Sequence, residues 1–277
     1  MGIYIRDSSD SDTRKSSSTP ADPAKASRLA DYARFLEDVR RDYDRAEEMY
    51  ERAIKADPTN ADVLGEYAAL LWGRPRDYDR RDYDRAEEMY ERAIKADPTN
   101  AHTLCHYARF LRHVRRDYDR AESMYERAIK ADPTNAHILG EYACFLYYVR
   151  RDYDRAEETF ERAIKADPTN AHTLCHYAVF LHLARRDYDR AESMYERAIK
   201  ADPTNAHHLD SYTFFLMVVR RDYDRVESMY ERAIKADPTN ADILGDYADF
   251  LEGFRRDYDR AEAMYERAIE ADSDHGQ

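Results

Sequence analysis

The sequence predicts an all-α protein, an α-solenoid of seven consecutive helix-turn-helix repeats. Three observations carry that prediction. The segment Asp-Pro-Thr-Asn recurs with its aspartate at 57, 97, 132, 167, 202 and 237, spacings of 40 and then of 35 four times, and self-similarity at such a period marks repeat architectures. The pattern preceding this segment occurs once more, ending at Asp272, so seven repeats starting near 26, 61, 101, 136, 171, 206 and 241 occupy residues 22–272. Apolar residues within a repeat recur at helical spacing, and two punctuations, Arg-Asp-Tyr-Asp and Asp-Pro-Thr-Asn, divide each repeat in two.

Residues 1–21 precede the first repeat. They are rich in Ser and Asp and lack apolar periodicity, so they are expected to be a disordered tail, unable to offset the entropy of ordering. Repeat three shows why each unit reads as two helices. Leu104, Tyr107, Ala108 and Leu111 fall at i, i+3, i+4 and i+7, and Ala121, Tyr125 and Ala128 form the facing stripe. Between them Arg116-Asp117-Tyr118-Asp119 turns the chain, with Asp117 placed to cap the second helix and Asp119 near its positive dipole end. Glu126 and Lys130 support that helix as an i,i+4 pair. It ends before Asp132-Pro133, because proline disfavours helical geometry in the residue before it, and Thr134 or Asn135 caps the next first helix. Ala108 and Ala121 let the two backbones approach closely.

Two repeats depart from the pattern. In repeat two Arg76-Asp77-Tyr78-Asp79-Arg80 is repeated at once as residues 81–85. The duplication falls at a turn, where insertions cost little, so the stacking is expected to survive it. Repeat six places Thr213 and Val226 where every other repeat has alanine. Branched bulk on both sides predicts a wider or tilted crossing there. Residues 273–277 are expected to be a short C-terminal tail.

Composition narrows the function classes. With 44 Lys plus Arg against 57 Asp plus Glu the formal net charge is −13, which argues against nucleic acid, since phosphate-backbone affinity comes from cations displacing counterions. No apolar run approaches the roughly 20 residues needed to cross a bilayer, and the N-terminus lacks the apolar stretch of a secretory signal, so neither membrane nor export is expected. Three cysteines, odd and sparse, read as reduced thiols in a cytoplasmic, intracellular setting. A nucleophile elbow, a phosphate-cradling glycine loop and a dinucleotide fingerprint are all missing from the sequence, so neither enzyme activity nor a cofactor is expected.

The stripe Leu104-Tyr107-Ala108-Leu111 followed by Ala121-Tyr125-Ala128-Pro133 resembles the tetratricopeptide repeat, with one extra residue in the first helix. The strings Tyr-Ala-x-Phe-Leu, Arg-Ala-Glu and Tyr-Glu-Arg-Ala are also similar to the half-a-TPR repeats of RNA-processing scaffolds. Those favour Trp at the position of Leu104 and an acid at that of Leu111. Both are Leu here and the loop proline is present, so the tetratricopeptide reading is preferred. The resemblance covers residues 26–272. It implies a right-handed superhelix whose first helices line a concave groove, and a scaffold that captures a peptide or helix there. Some co-chaperones of this family hold a C-terminal carboxylate with Lys, Asn and Arg at chosen groove positions. Here those positions carry mainly Cys, Gly, His, Glu and Asp, with Arg34 and Arg109 the partial exceptions, so that clamp is not expected.

Second helices are near copies of one another, whereas first helices differ along one face. There repeat three carries His102, Cys105, His106, Arg109, Arg112 and His113, and repeat four His137, Glu141, Cys144, Tyr147 and Tyr148. Repeat five carries His172, Cys175, His176 and His182, and repeat six His207, Asp210, Phe214 and Met217. These residues are the candidate ligand groove. Either they read a ligand or they drift for want of packing constraint. Second-helix positions with as little apparent constraint have not drifted, which favours recognition. Acids concentrate in repeats one, two and seven, so a protein partner with an acidic or aromatic centre and basic flanks would match. Protonation of His102, His106, His137, His172, His176 and His207 is expected to make the centre cationic between about pH 5 and 7.5.

The sets His102/Cys105/His106 and His172/Cys175/His176 place two imidazoles at i,i+4 with a thiol between them. They are weak metal candidates. Three ligands on one helix are cramped, and no native metal is expected. A rival function is a homo-oligomer or filament through the repeat ends, because arrays normally need polar terminal caps. Met264, Tyr265 and Ile269 of the last repeat are unchanged from internal copies, while Arg28 partly caps the front, standing where other repeats carry Val63, Thr103, Ile138, Thr173, His208 and Ile243.

Overall fold

A computed structural model describes residues 21–73 and 82–274, and among them are fourteen α-helices and no strand. Apart from Ala21, the N-terminal tail lies outside the described residues, as does the first copy of the duplicated pentapeptide. The chain divides into two compact units, residues 1–98 and 99–277. The first contains α1 (Pro23–Phe35), α2 (Tyr43–Ala56), α3 (Ala61–Gly73) and α4 (Tyr83–Ala96). The second contains α5 (Ala101–Phe110), α6 (Tyr118–Ala131), α7 (Ala136–Phe145), α8 (Tyr153–Ala166), α9 (Ala171–Phe180) and α10 (Tyr188–Ala201), followed by α11 (Ala206–Phe215), α12 (Tyr223–Ala236), α13 (Ala241–Phe250) and α14 (Tyr258–Asp274). α14 runs on through residues expected to be tail, since the Pro that ends every other second helix is Ser273 here.

Helix boundaries follow the capping chemistry. Asp117 Oδ1 accepts from the Arg120 backbone N–H at 3.2 Å, and Asp82, in the second copy of the duplication, does the same for Arg85 at 2.9 Å. The first helix of repeat one is capped by Asp22, and from repeat two on the cap ahead of each first helix is Asn and not Thr. Asn170 Oδ1 accepts from Thr173 N–H at 2.9 Å, while Thr169 donates both its N–H and its hydroxyl to Asp167 Oδ1 at 2.9 and 2.8 Å. The threonine is occupied in closing the turn, which leaves the asparagine for the helix.

The family resemblance carries one extra residue per repeat, and the structure shows where it goes. Each first helix whose end is described widens into a five-residue π turn, Leu111–Arg115 in repeat three. A π turn holds one residue more than an α turn, because each hydrogen bond reaches five residues back. The Leu111 carbonyl accepts from both Arg116 and Asp117 N–H. Reversing the chain there requires a left-handed residue, and the sequence supplies arginine: Arg41, Arg116, Arg151, Arg186, Arg221 and Arg256 have φ between 54° and 59°. Glycine is the usual occupant of that conformation.

The core is the expected one. Leu104, Tyr107, Ala108, Leu111, Ala121, Tyr125 and Ala128 are all buried. Tyr125 also packs on Tyr142 and Phe145 of the following repeat, with ring centroids 5.6 and 5.4 Å apart. Above these rings runs a ladder of ions. Arg155 donates to Glu122 at 3.0 Å and Glu126 at 3.2 Å of the preceding repeat, and Arg150 reaches Asp119 at 2.6 Å. Arg190 repeats the pattern on Glu157 and Glu161, and Arg260 on Glu227 and Glu231. The near-identical second helices are thus under more constraint than the sequence suggests. Their acids and arginines bind neighbouring repeats, so their failure to drift does not isolate the first-helix variation as recognition.

Repeat six is the locally distinct joint that Thr213 and Val226 predict. Both are fully buried, and α11 stands farther from α12 than the paired helices of any other repeat do from each other. The Thr213 hydroxyl is satisfied by the Asp210 carbonyl at 3.0 Å.

Candidate functional site

Within the second unit α5, α7, α9, α11 and α13 lie side by side, each touching the next. On the face they share, positions related by one helical repeat form lanes across the layer. His102, His137, His172 and His207 are exposed in the first lane. Behind it His106 and His176 are partly covered, each with its ring 4.3 Å from His102 and His172 respectively. Contacts between helices make the face continuous: Arg109 Nε lies 3.6 Å from Glu141 Oε2, Tyr148 meets His176 edge-on at 6.2 Å, and His176 lies 5.9 Å from His207. Toward the helix C-termini the surface turns apolar. Tyr148 is 38% exposed, Leu183 56%, Phe214 51% and Val218 58%.

Several residues assigned to this face are elsewhere. Cys105, Cys144 and Cys175 are buried, their thiols pushed up by desolvation, to about 12 for Cys105 and about 11 for Cys175. They pack as small apolar groups and present no thiol to a ligand. Tyr147 and His182 are buried too, edge-on to Phe180 and Phe215 of the next repeat at 5.3 and 5.1 Å. Their lane is the seam between repeats. Met217, in the same lane, and Arg112 are partly covered, while His113 and Asp210 are exposed. The extra residue in the π turn rotates every later side chain of the helix about its axis, which a straight-helix projection of the sequence misses.

Electrostatics corrects the expected cationic band. Burial, joined by His102, Arg109 and His137, pushes His106 down to about 3. Burial with His172, His207, His208 and Arg112 does the same to His176, also to about 3. His172 and His113 are lowered as well, mainly by desolvation. The inner imidazoles therefore stay neutral across the range in which a free histidine titrates. Nor do the metal candidates converge: with both thiols in the core, no group of three or more His, Cys, Asp or Glu among the described residues is placed to hold an ion. No helix among them is long and apolar enough to cross a membrane.

The same architecture recurs among known proteins. Two tetratricopeptide repeat families match, one over residues 36–100 and 75–136 and another over 220–277, and the middle TPR-like domain of cilia and flagella-associated protein 70 matches residues 112–220. No curated protein matches the sequence. Among solved structures, PilF of Pseudomonas aeruginosa superposes with a TM-score of 0.61 at 19% identity, over 82% of this chain and 97% of PilF. A tetratricopeptide repeat protein from Parabacteroides merdae gives 0.58 at 15% identity over 90% and 93% of the two chains. Yeast Tom70 gives 0.65 at 15% identity over 91% of this chain and 55% of its own. Period, paired helices, small-residue crossings and these matches agree: the chain belongs to the tetratricopeptide repeat family.

Proposed function

We propose that the protein is a protein–protein interaction scaffold that captures a peptide segment, extended or helical, along the first-helix face of repeats three to six. The observation that carries this reading is the exposed apolar lane of Tyr148, Leu183 and Val218, with Phe214 exposed one turn before Val218, beside the polar lane of His102, His137, His172 and His207. Large side chains exposed next to one another on a monomer mark interaction sites more often than isolated ones do. Neutral inner histidines shift the preferred partner from an acidic centre to an aromatic or aliphatic one, with the Arg109–Glu141 pair offering directed hydrogen bonds at one edge. The net charge of −13 supports a protein partner over nucleic acid.

The test is peptide selection from a random library on the full chain. Selected peptides should bind the wild type and lose about tenfold or more in affinity on Tyr148→Ser/Phe214→Ser, because apolar anchors dominate such interfaces. A control, Lys165→Ser on an exposed second-helix surface, should change nothing. Peptides that bind both variants equally would overturn the reading. A second reading, end-to-end assembly, is favoured by one separate observation: Tyr32 and Phe35 of the first repeat are 41% and 43% exposed, while their counterparts Tyr142 and Phe145 are 5% and 0% exposed.

A further inference from the structure

Successive repeats inside the second unit meet through corresponding positions, an aromatic ring and an ion ladder recurring at each junction. A tyrosine of one second helix, Tyr125, packs on Tyr142 and Phe145 of the next repeat. Arg150 and Arg155 reach back to Asp119, Glu122 and Glu126. Thr173 sits so close over the preceding first helix that a Cβ on Gly140 would lie 2.6 Å from its Oγ1.

The two ends of the chain carry the two halves of this contact. At the front, Tyr32 and Phe35 stand exposed, and Arg40 and Arg45 occupy the positions of Arg150 and Arg155. Arg45 already donates to Tyr32 Oη at 2.8 Å, the contact that Arg155 makes with Tyr142. At the rear, Tyr265 corresponds to Tyr125, and Asp259, Glu262 and Glu266 to Asp119, Glu122 and Glu126. Those three acids are exposed and make no ion pair among the described residues. Gly245 is the counterpart of Gly140, and nothing lies within 4 Å of its Cβ position. Beside it opens a cleft of about 570 Å³ lined by Asp242, Asp246, Asp249, Tyr265 and Ala268.

The residue that the repeat pattern would bring over Gly245 is Arg28. Its counterparts Val63, Ile138, Thr173 and Ile243 are buried, so an arginine there suits neither an internal junction nor an apolar end. Opposite this cleft it meets aspartates. Burial raises the Asp246 carboxyl, and the neighbouring Asp210, Asp242 and Asp249 raise it further.

We propose that the front of a second copy of this chain docks on the rear of the first, head to tail, with Arg28 in the aspartate-lined cleft and Arg40 and Arg45 completing the ion ladder on Asp259, Glu262 and Glu266. The proposal deepens the end-to-end reading and is independent of the peptide face. Because the two surfaces differ, the contact is heterologous, and it propagates into chains or rings instead of stopping at a symmetric dimer.

Sedimentation equilibrium of the full chain over a range of concentrations tests it. The wild type should gain mass with concentration, and added salt should weaken the association. Arg40→Glu/Arg45→Glu at the front and Glu262→Lys/Glu266→Lys at the rear should each weaken it about tenfold or more. A 1:1 mixture of the two variants should restore it, since each reversed surface then faces a complementary one. Arg28→Glu, at an exposed position, should weaken association by itself, and it keeps the test decisive if either double variant fails to fold. A wild type that stays monomeric to roughly 200 μM, a weak-binding limit, would overturn both the proposal and the end-to-end reading. Association that ignores the charge reversals, or a mixture that fails to recover, would overturn this interface alone. If only a chain lacking residues 1–20 associates, the front is covered by its own N-terminal segment and the proposal fails.

Discussion

At the residue scale the least expected feature is arginine in the left-handed conformation at the end of every described π turn. A side chain costs about 1–2 kcal/mol there relative to the right-handed region, because Cβ crowds the following carbonyl. Glycine escapes that cost but loses more entropy on folding. Arg186 is exposed with φ 56°, so Arg186→Gly is expected to stabilise the protein by about 0.5–1 kcal/mol net. Urea denaturation would check it, and a destabilised variant would mean that the arginine side chain makes an interaction stronger than the strain. The buried cysteines and the lowered histidines are also residue-scale outcomes. Their identities were plain in the sequence, but which of them faced solvent was decided by packing against neighbouring helices, since the cysteines, His106 and His176 all precede their π turns.

At the element scale two devices hold neighbouring helices together, and each makes a prediction. Arg190 bridges Glu157 and Glu161 of the preceding repeat at 3.0 Å each. It is roughly half exposed, so solvent screening limits each pair to a few tenths of a kcal/mol, and Arg190→Met should cost only about 1 kcal/mol. That loss should shrink in high salt; a salt-independent loss would point to packing over Tyr177 instead. In repeat six the wide crossing of α11 and α12 is filled by Thr213 and Val226. Val226→Ala alone should leave a cavity and cost about 1–3 kcal/mol. With Thr213→Ala added, the helices can close to the spacing of the other repeats, so the double variant should be more stable than either single one. Additive losses in a double-mutant cycle would show that the joint cannot close.

At the scale of the whole molecule the buried imidazoles act on stability together. His106 and His176 are pushed down to about 3 and His208 to about 4, all below the ordinary value near 6.5. The unfolded chain therefore binds more protons than the folded one between those values, and stability falls as pH drops from about 6.5 toward 4. A loss of about 2 kcal/mol per histidine is expected between pH 7 and 4.5, and His106→Gln/His176→Gln should remove much of that slope. Thermal melts of both proteins across this range would decide it; parallel curves would show that the titrating groups are others.

The sequence by itself determined the seven repeats, the two helices in each, the aspartate caps of the second helices and the alanine crossings, because these depend on local spacing and on backbone groups a few residues away. It also marked repeat six as different, since two branched residues against six alanine pairs is a local fact. Only the tertiary structure decided which variable residues form a surface. A π turn shifts the face of everything after it, and burial against a neighbouring repeat turned Tyr147, His182 and three cysteines into packing. The same neighbours explain the near-identical second helices, whose ion pairs join residues about 30 positions apart, such as Arg155 with Glu122 and Glu126. No single repeat contains both partners of such a pair, so no reading of one repeat could find it.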